Sequence, residues 1–299
     1  MSRLLVVGAT GLLGRAVCQR ANAAGYQVRA LVRPASPRRA SLERLGYECV
    51  DGDLKDPPSL SRACQGCDAV VTTANTMTVR GSGDSLDAVD RRGSLALLAA
   101  AVQSGVQQFV YMSVTPVLPS NNQFVAIKRE VEAAVRASGL RWTILQPAAF
   151  MEVHAGPVAG WDFGRHRARL VGRGDTPVDF ISIHDVAAFA TAALTHPAAV
   201  NRTLVLNGPE ALTGNQTVEI AGRVLGRPFS VQRAPLAAIR VIRAIVGPFN
   251  EHVSALLGLM LGQEEPATAA SAFPPMYVEF GVTPTMFADY VRSQAGSGR

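Results

Sequence analysis

Two of the 29 basic side chains in this 299-residue chain are lysines and the rest are arginines. One of the two, Lys128, stands four residues after Phe124 in the stretch QFVAIKRE. On a helix that spacing puts both side chains on one face. A compact ammonium on a flexible stem fits between a pair of hydroxyls where a planar guanidinium would not. Phe124 beside it can pack but has no proton to give. Ser113, closing the apolar run FVYM, adds a hydroxyl that can donate to a carbonyl but is a poor acid by itself. A second constellation is Gly8-Ala9-Thr10-Gly11-Leu12-Leu13-Gly14. Gly8 permits a tight turn, Gly11 lets the backbone approach a pyrophosphate, and Gly14 lets a helix pack close to a strand. Thr10, Leu12 and Leu13 lie at the helix entry, where free N–H groups face phosphates. The pattern sits between a strand-like run and a helix-like one and opens a βαβ unit, which makes it specific.

The next strand selects the dinucleotide. An NAD site places Asp or Glu about 20 residues after the glycines, on the ribose 2′-hydroxyl. Here Leu31-Val32 lead into Arg33, with Arg38 and Arg39 close behind. A guanidinium in that place suits a 2′-phosphate, so NADP(H) is the expected cofactor. The competing reading of Arg33 is a solvated strand end.

The remaining reactive residues point elsewhere less strongly. Cys64-x-x-Cys67 has no second such pair and no nearby His, so structural cysteines and no metal are expected. His184 precedes Asp185, a helix cap, and reads as structural. His154 is a minority candidate for a proton donor, and Tyr111 falls inside an apolar run and reads as core. The net charge of +6 and pI near 9.5 fit an anionic partner. Nucleic acid is disfavoured, because the chain has no helix-turn-helix signature, no zinc spacing and no aromatic–basic interleaving. With 48% hydrophobic and 17% charged residues the composition is globular. No apolar run approaches the ~20 residues of a membrane span. MSRLLVVGAT reaches glycine too soon for a secretion signal. A cytoplasmic protein is expected.

The elements that would position these residues alternate. Strands are expected at Leu4–Val7, Gln27–Val32, Tyr47–Val50, Asp68–Thr72, Phe109–Met112 and Trp142–Leu145, with helices at Leu12–Ala24, Leu86–Ser104 and Phe124–Ser138. That rhythm predicts an α/β fold, a Rossmann-type doubly wound parallel sheet of about seven strands. Past Pro147 it loosens: a strand at Val178–Ile183, a helix from Asp185 to Leu194, a strand at Thr203–Leu206 and a helix at Val218–Leu225. Leu236–Ile245 and His252–Leu261 are two apolar helical stretches broken by Gly247-Pro248-Phe249-Asn250, a helix hairpin that could act as a lid. A dinucleotide-binding core is expected over 1–150, with further strands from 178–206, and a substrate-binding region over 151–299, without a clean boundary.

These residues resemble the atypical short-chain dehydrogenase/reductases, in the NmrA-like and isoflavone-reductase-like branch. The resemblance rests on GATGLLG at 8–14, LVR at 31–33, GDL at 52–54 and TTAN at 72–75. It extends through VDRRGSLALLAAAVQSGVQQFVYMS at 89–113, LRWTILQPAAFME at 140–152 and ISIHDVA at 181–187. It implies that Asp53 and Leu54 border the adenine. It further implies that Ala74 and Asn75 line the ribose and nicotinamide, and that Pro147 to Phe150 pass near the nicotinamide. Ser94 and Gln146 depart from the Asn and Arg often found at their places. Orthodox members pair a tyrosine acid with a lysine four residues on, and a serine after strand five. Ser113 and Lys128 match, while Phe124 stands where the acid should be.

An NADPH-dependent reductase of a bulky aromatic ketone, quinone or polyketide-like ring is therefore expected, with Lys128 and Ser113 as catalytic residues and Lys128 also binding the cofactor's ribose. Such a substrate's own phenol, or solvent, would complete the protonation. The alternative is an NADPH-binding redox sensor or regulator without turnover.

Overall fold

The computed structural model describes residues 2–77, 80–262 and 276–296. The chain divides into two compact units that interleave in sequence. The first comprises Met1–Val114, Gln123–Gln146 and Val186–Leu204; the second comprises Thr115–Asn122, Pro147–Asp185 and Val205–Arg299.

In the first unit β1 (Arg3–Val7), α1 (Leu12–Ala23), β2 (Gln27–Val32), α2 (Arg39–Glu43) and β3 (Glu48–Asp51) follow one another. Then come α3 (Pro57–Cys64), β4 (Ala69–Thr72), a π-helical segment at Leu86–Gly93, α4 (Ser94–Gln103), β5 (Gln108–Met112), α5 (Gln123–Arg136) and β6 (Arg141–Pro147). The strands order as β3-β2-β1-β4-β5-β6, with the later strand Arg202–Leu206 beside β6, making seven. Every pairing from β3 to β6 is parallel. Leu4 to Val7 are at most 1% exposed, as expected of a central strand covered on both faces. The direction in which successive strands are added reverses between β1 and β4, the switch point at whose strand carboxyl ends doubly wound sheets bind ligands. The doubly wound sheet expected from the sequence is present.

One expected helix differs. Leu86–Ser104 is not a uniform α-helix: its first eight residues are π-wound before α4 begins. The wider turn faces the consecutive residues Val89 and Asp90 both inward. Gly93 closes it, because a Cβ there would lie 2.7 Å from that of Leu54.

The second unit contains β7 (Ala149–Phe150), α6 (Met151–His154), β8 (Arg167–Val171), β9 (Pro177–Ile181) and α7 (Ile183–Ala192), whose last turns belong to the first unit. After β10 (Arg202–Leu206) come β11 (Glu210–Thr213), α8 (Gly214–Val224), β12 (Ser230–Ala234), α9 (Leu236–Val246) and α10 (Glu251–Gly262). Two short helices follow, α11 (Tyr277–Phe280) and α12 (Phe287–Gly296). The sheet β11-β9-β7 and the parallel pair β12-β8 support this unit. Its core gathers Met151, Trp161, Phe180, Leu212, Phe287 and Val291. α9 and α10 form the expected hairpin around a 3₁₀ turn at Gly247–Phe249.

Candidate functional site

The glycine turn is built as its residue types demand. Gly8 has φ +88°, a left-handed conformation that glycine adopts without strain. A Cβ on Gly14 would run into the carbonyl oxygen of Gly8. α1 begins at Gly11 with no side-chain cap and no acid in its first turn. Its leading N–H groups and the positive end of its dipole are therefore left for an anion. Leu13 packs inward and Leu12 is 61% exposed. These features fit a dinucleotide pyrophosphate.

Around the turn the arginines divide their work. Arg38 Nη1 donates to the carbonyl oxygen of Thr10 at 2.6 Å, tying the segment after β2 to the glycine turn. Arg33 Nη1 instead meets Asp84 Oδ2 at 2.8 Å. Asp84 also receives Lys55 Nζ at 2.7 Å on Oδ1 and the Gly81 N–H on Oδ2. Burial would push the Asp84 carboxyl up, but the Lys55 bond, the Gly81 N–H and the two cations hold it below its ordinary value. Asp53 accepts from the Lys55 N–H at 2.8 Å, and Leu54 is buried against Gly93. Ala74 and Asn75 follow β4. Asn75 Oδ1 accepts from the Met77 N–H at 3.0 Å, an Asx-type turn that shapes this loop. Thr76 closes it, donating to Asp90 Oδ2 from its N–H at 3.2 Å and from its hydroxyl at 2.6 Å.

Lys128 is 2% exposed, with Nζ donating to the Met112 carbonyl at 3.2 Å. The ammonium sits 5.0 Å from the Tyr111 ring centroid and 5.3 Å from that of Phe124. Both faces are cation–π partners. Phe124, standing where an acid would be in an orthodox reductase, is thus part of the lysine's cradle. Burial lowers the Lys128 pKa, and the carboxylates of Asp90 and Glu132 oppose that shift. Burial likewise drives the Tyr111 phenol well up, so it releases no proton near neutrality.

Ser113 is engaged by a buried carboxylate. Its hydroxyl donates to Glu132 Oε1 at 2.5 Å and is 3% exposed, so its proton is committed inside the protein. Glu132 also accepts from Gln146 Nε2 at 2.8 Å, Arg136 Nη2 at 3.0 Å and Arg129 Nη1. Burial raises this carboxyl, yet those donors outweigh it and hold the pKa below its ordinary value. Arg129 continues to the Val114 carbonyl at 3.0 Å. Glu132 follows Lys128 by four residues, so the same-face spacing that exposed Lys128 and Phe124 also pointed to it. Asp84 and Asp90 carried no comparable sequence signal.

In the second unit, Pro147 ends β6, and its carbonyl accepts from the Thr115 N–H at 3.1 Å. Phe150 ends β7 and precedes α6. Its carbonyl holds His154 Nδ1 at 3.1 Å, which ties that ring to its own helix. Glu152 caps the start of α7: Ser182 Oγ donates at 2.9 Å and the Ile183 N–H at 3.0 Å. Burial nonetheless keeps its pKa raised. Thr115, Val117, Leu118, Ala148, Ala149, Val178 and Asp179 line a cavity of about 30 Å³ within this unit. That is room for about two waters.

Among the described residues no cluster of His, Cys, Asp or Glu could hold a metal, and no helix is long and apolar enough to cross a membrane. All four cysteines are free, and burial pushes Cys18 and Cys64 up to about 12.

The (4-alkanoyl-5-oxo-2,5-dihydrofuran-3-yl)methyl phosphate reductase of Streptomyces griseus is 33% identical over 296 residues, 98% of each chain. The photosystem II assembly factor Ycf39 of Trieres chinensis is 32% identical over 254 residues, 83% of this chain and 76% of its own. The NADPH-dependent quinone oxidoreductase of Escherichia coli, solved with NADPH, superposes with a TM-score of 0.76 at 20% identity. That match covers 98% of this chain and 99% of the other, and carries the fold alone. The profile of the NmrA-like family matches residues 1–270, and the chain belongs to that family.

Proposed function

We propose that the chain is an NAD(P)H-dependent oxidoreductase, with NADPH as its cofactor and a bulky aromatic ketone, quinone or polyketide-like ring as hydride acceptor. The observation that carries the reading is the uncapped start of α1 behind Gly8, with Arg33 and Arg38 where an NAD site needs a carboxylate. The Streptomyces griseus relative is by name a reductase, which supports the activity.

In this proposal Gly8, Thr10, Gly11, Leu12, Leu13 and Gly14 hold the pyrophosphate, and Arg33 and Arg38 face the 2′-phosphate. Asp53 and Leu54 border the adenine, and Ala74 and Asn75 the ribose. Pro147 and Phe150 stay with the nicotinamide as the family resemblance assigns them. Bound NADPH supplies a hydride. Lys128 would contribute positive charge, held in place by Phe124, Tyr111 and the Met112 carbonyl. Ser113 acts by positioning, since it and Arg129 fix Glu132 behind the lysine. The substrate's proton then comes from its own phenol or from water, which suits acceptors whose reduced anion is delocalised.

A second reading, an NADPH-binding sensor or regulator without turnover, draws on the enclosed Lys128 and the assembly-factor relative. Mixing the protein with NADPH and a panel of quinones and aromatic ketones separates the two. Loss of the reduced-nicotinamide absorbance with at least one acceptor supports the reductase. Tight NADPH binding without turnover across a broad panel supports the sensor.

A further inference from the structure

The chain's second lysine, Lys55, was not among the residues expected at the site, yet it converges with Arg33 on one carboxylate. Asp84 takes Arg33 Nη1 on one oxygen at 2.8 Å and Lys55 Nζ on the other at 2.7 Å. Its side chain is 4% exposed, while those of Arg33 and Lys55 are 41% and 27% exposed. The anchor is inside and the cations reach outward. Lys55 Nζ also donates to the Ser82 carbonyl at 2.7 Å. That leaves one of its three donors and most of the Arg33 fork for something else.

The backbone is shaped for this convergence. A Cβ on Gly81 would lie 2.5 Å from Arg33 Nη1, so a larger residue there would make that guanidinium shift. Gly83 takes φ +69°, and a Cβ built there would lie 3.9 Å from Lys55 Nζ. The nearest further carboxylate is Asp53, whose Oδ2 is 3.9 Å from Lys55 Nζ.

We propose that Lys55 and Arg33 are two jaws of the 2′-phosphate site of NADPH, and that Asp84 is the positioning residue that sets them. This rests on the NADPH reading above. A phosphomonoester carries a charge of about −1.5 to −2 on three strong acceptor oxygens, which matches two fixed cations better than one mobile arginine. Anchoring both on one buried carboxylate removes side-chain freedom that phosphate binding would otherwise have to freeze out.

The test uses 2′,5′-ADP and 5′-AMP, which differ in the 2′-phosphate, and measures both dissociation constants by calorimetry on the intact protein. Lys55→Met keeps the stem and leaves Asp84 neutralised by Arg33 and the Gly81 N–H, so the fold is retained. The ratio of 2′,5′-ADP to 5′-AMP affinity is expected to fall about tenfold or more, the worth of one hydrogen bond to a charged group. Asp84→Asn should also lower the ratio, by freeing both cations. Charge arithmetic alone predicts a rise, since a negative group is removed. An unchanged ratio in Lys55→Met, or a higher one in Asp84→Asn, overturns the proposal while the NADPH reading stands. A wild-type protein indifferent to the 2′-phosphate overturns both.

Discussion

A hydroxyl added to the Phe124 ring would enter a place where 4% of the residue reaches solvent and the ring already faces Lys128 Nζ. Phe124→Tyr is therefore expected to leave kcat on a quinone acceptor unimproved, and to cost about 1–3 kcal/mol of stability if the phenol finds no partner. A large gain in kcat would mean that the reaction wants a local acid after all. Ser113→Ala probes the same cradle from the other side. It removes one donor from the buried Glu132 while Gln146, Arg129 and Arg136 remain. A loss of about 1–3 kcal/mol in denaturant unfolding is expected. A fall in kcat far beyond that in stability would return Ser113 to direct contact with the substrate. Arg33→Gln should weaken NADPH but not NADH. It is a cleaner change than Arg33→Asp, which would set a second carboxylate against Asp84. At this scale the sequence announced residue types well. It could not say that the Ser113 proton goes inward, because Glu132 reaches it only across the packing of α5 on β5.

Elements were most legible where local chemistry and tertiary demand agree. The first six strands and α1 read directly, because a parallel sheet covered on both faces needs continuous apolar runs and a helix that starts at glycine. The π-wound start of the long helix was hidden, since it depends on Gly93 meeting Leu54 from a distant segment. The β8–β12 pair was hidden too. RARLV and SVQRA alternate arginine and glutamine with short apolar residues, and pairing across 63 positions decides their state (Arg167 opposite Ser230). Gly14→Ala tests the element best read from sequence. A methyl there strikes the Gly8 carbonyl, so either α1 moves away from β1 or the turn deforms. The expected result is at least a tenfold loss of NADPH affinity, equivalent to about 1.4 kcal/mol, together with a lower Tm. Retained affinity in a folded variant would mean that the pyrophosphate does not sit on this turn.

For the whole molecule, interleaving explains why no boundary was legible. The chain leaves the first unit after Val114, returns at Gln123, leaves again after Gln146 and returns once more at Val186. It crosses a last time between Leu204 and Val205, inside β10, and no linker composition marks any of these crossings. The two units are nonetheless expected to answer acid differently, through one glutamate each. Glu132 in the first unit has its pKa held below the ordinary 4.5. Its stabilisation is fully present above pH 4.5 and is lost as pH falls through the lower folded value. Glu152 in the second unit has its pKa raised from the same 4.5. It favours the folded state most below pH 4.5, and that advantage fades as pH rises through the raised value. Acidification below 4.5 should therefore open the first unit's α5 and β5 amides before the second unit's α6 and β9 amides. Hydrogen exchange followed by mass spectrometry reads the two sets separately. Glu132→Gln should remove much of the first unit's acid sensitivity at the expense of stability near pH 7, where Arg129 and Arg136 lose their carboxylate. Glu152→Gln should leave the order of opening unchanged in acid and narrow the gap near neutrality. Simultaneous exchange of both sets at every pH would show that the carboxylates do not govern acid opening and that the two units unfold as one.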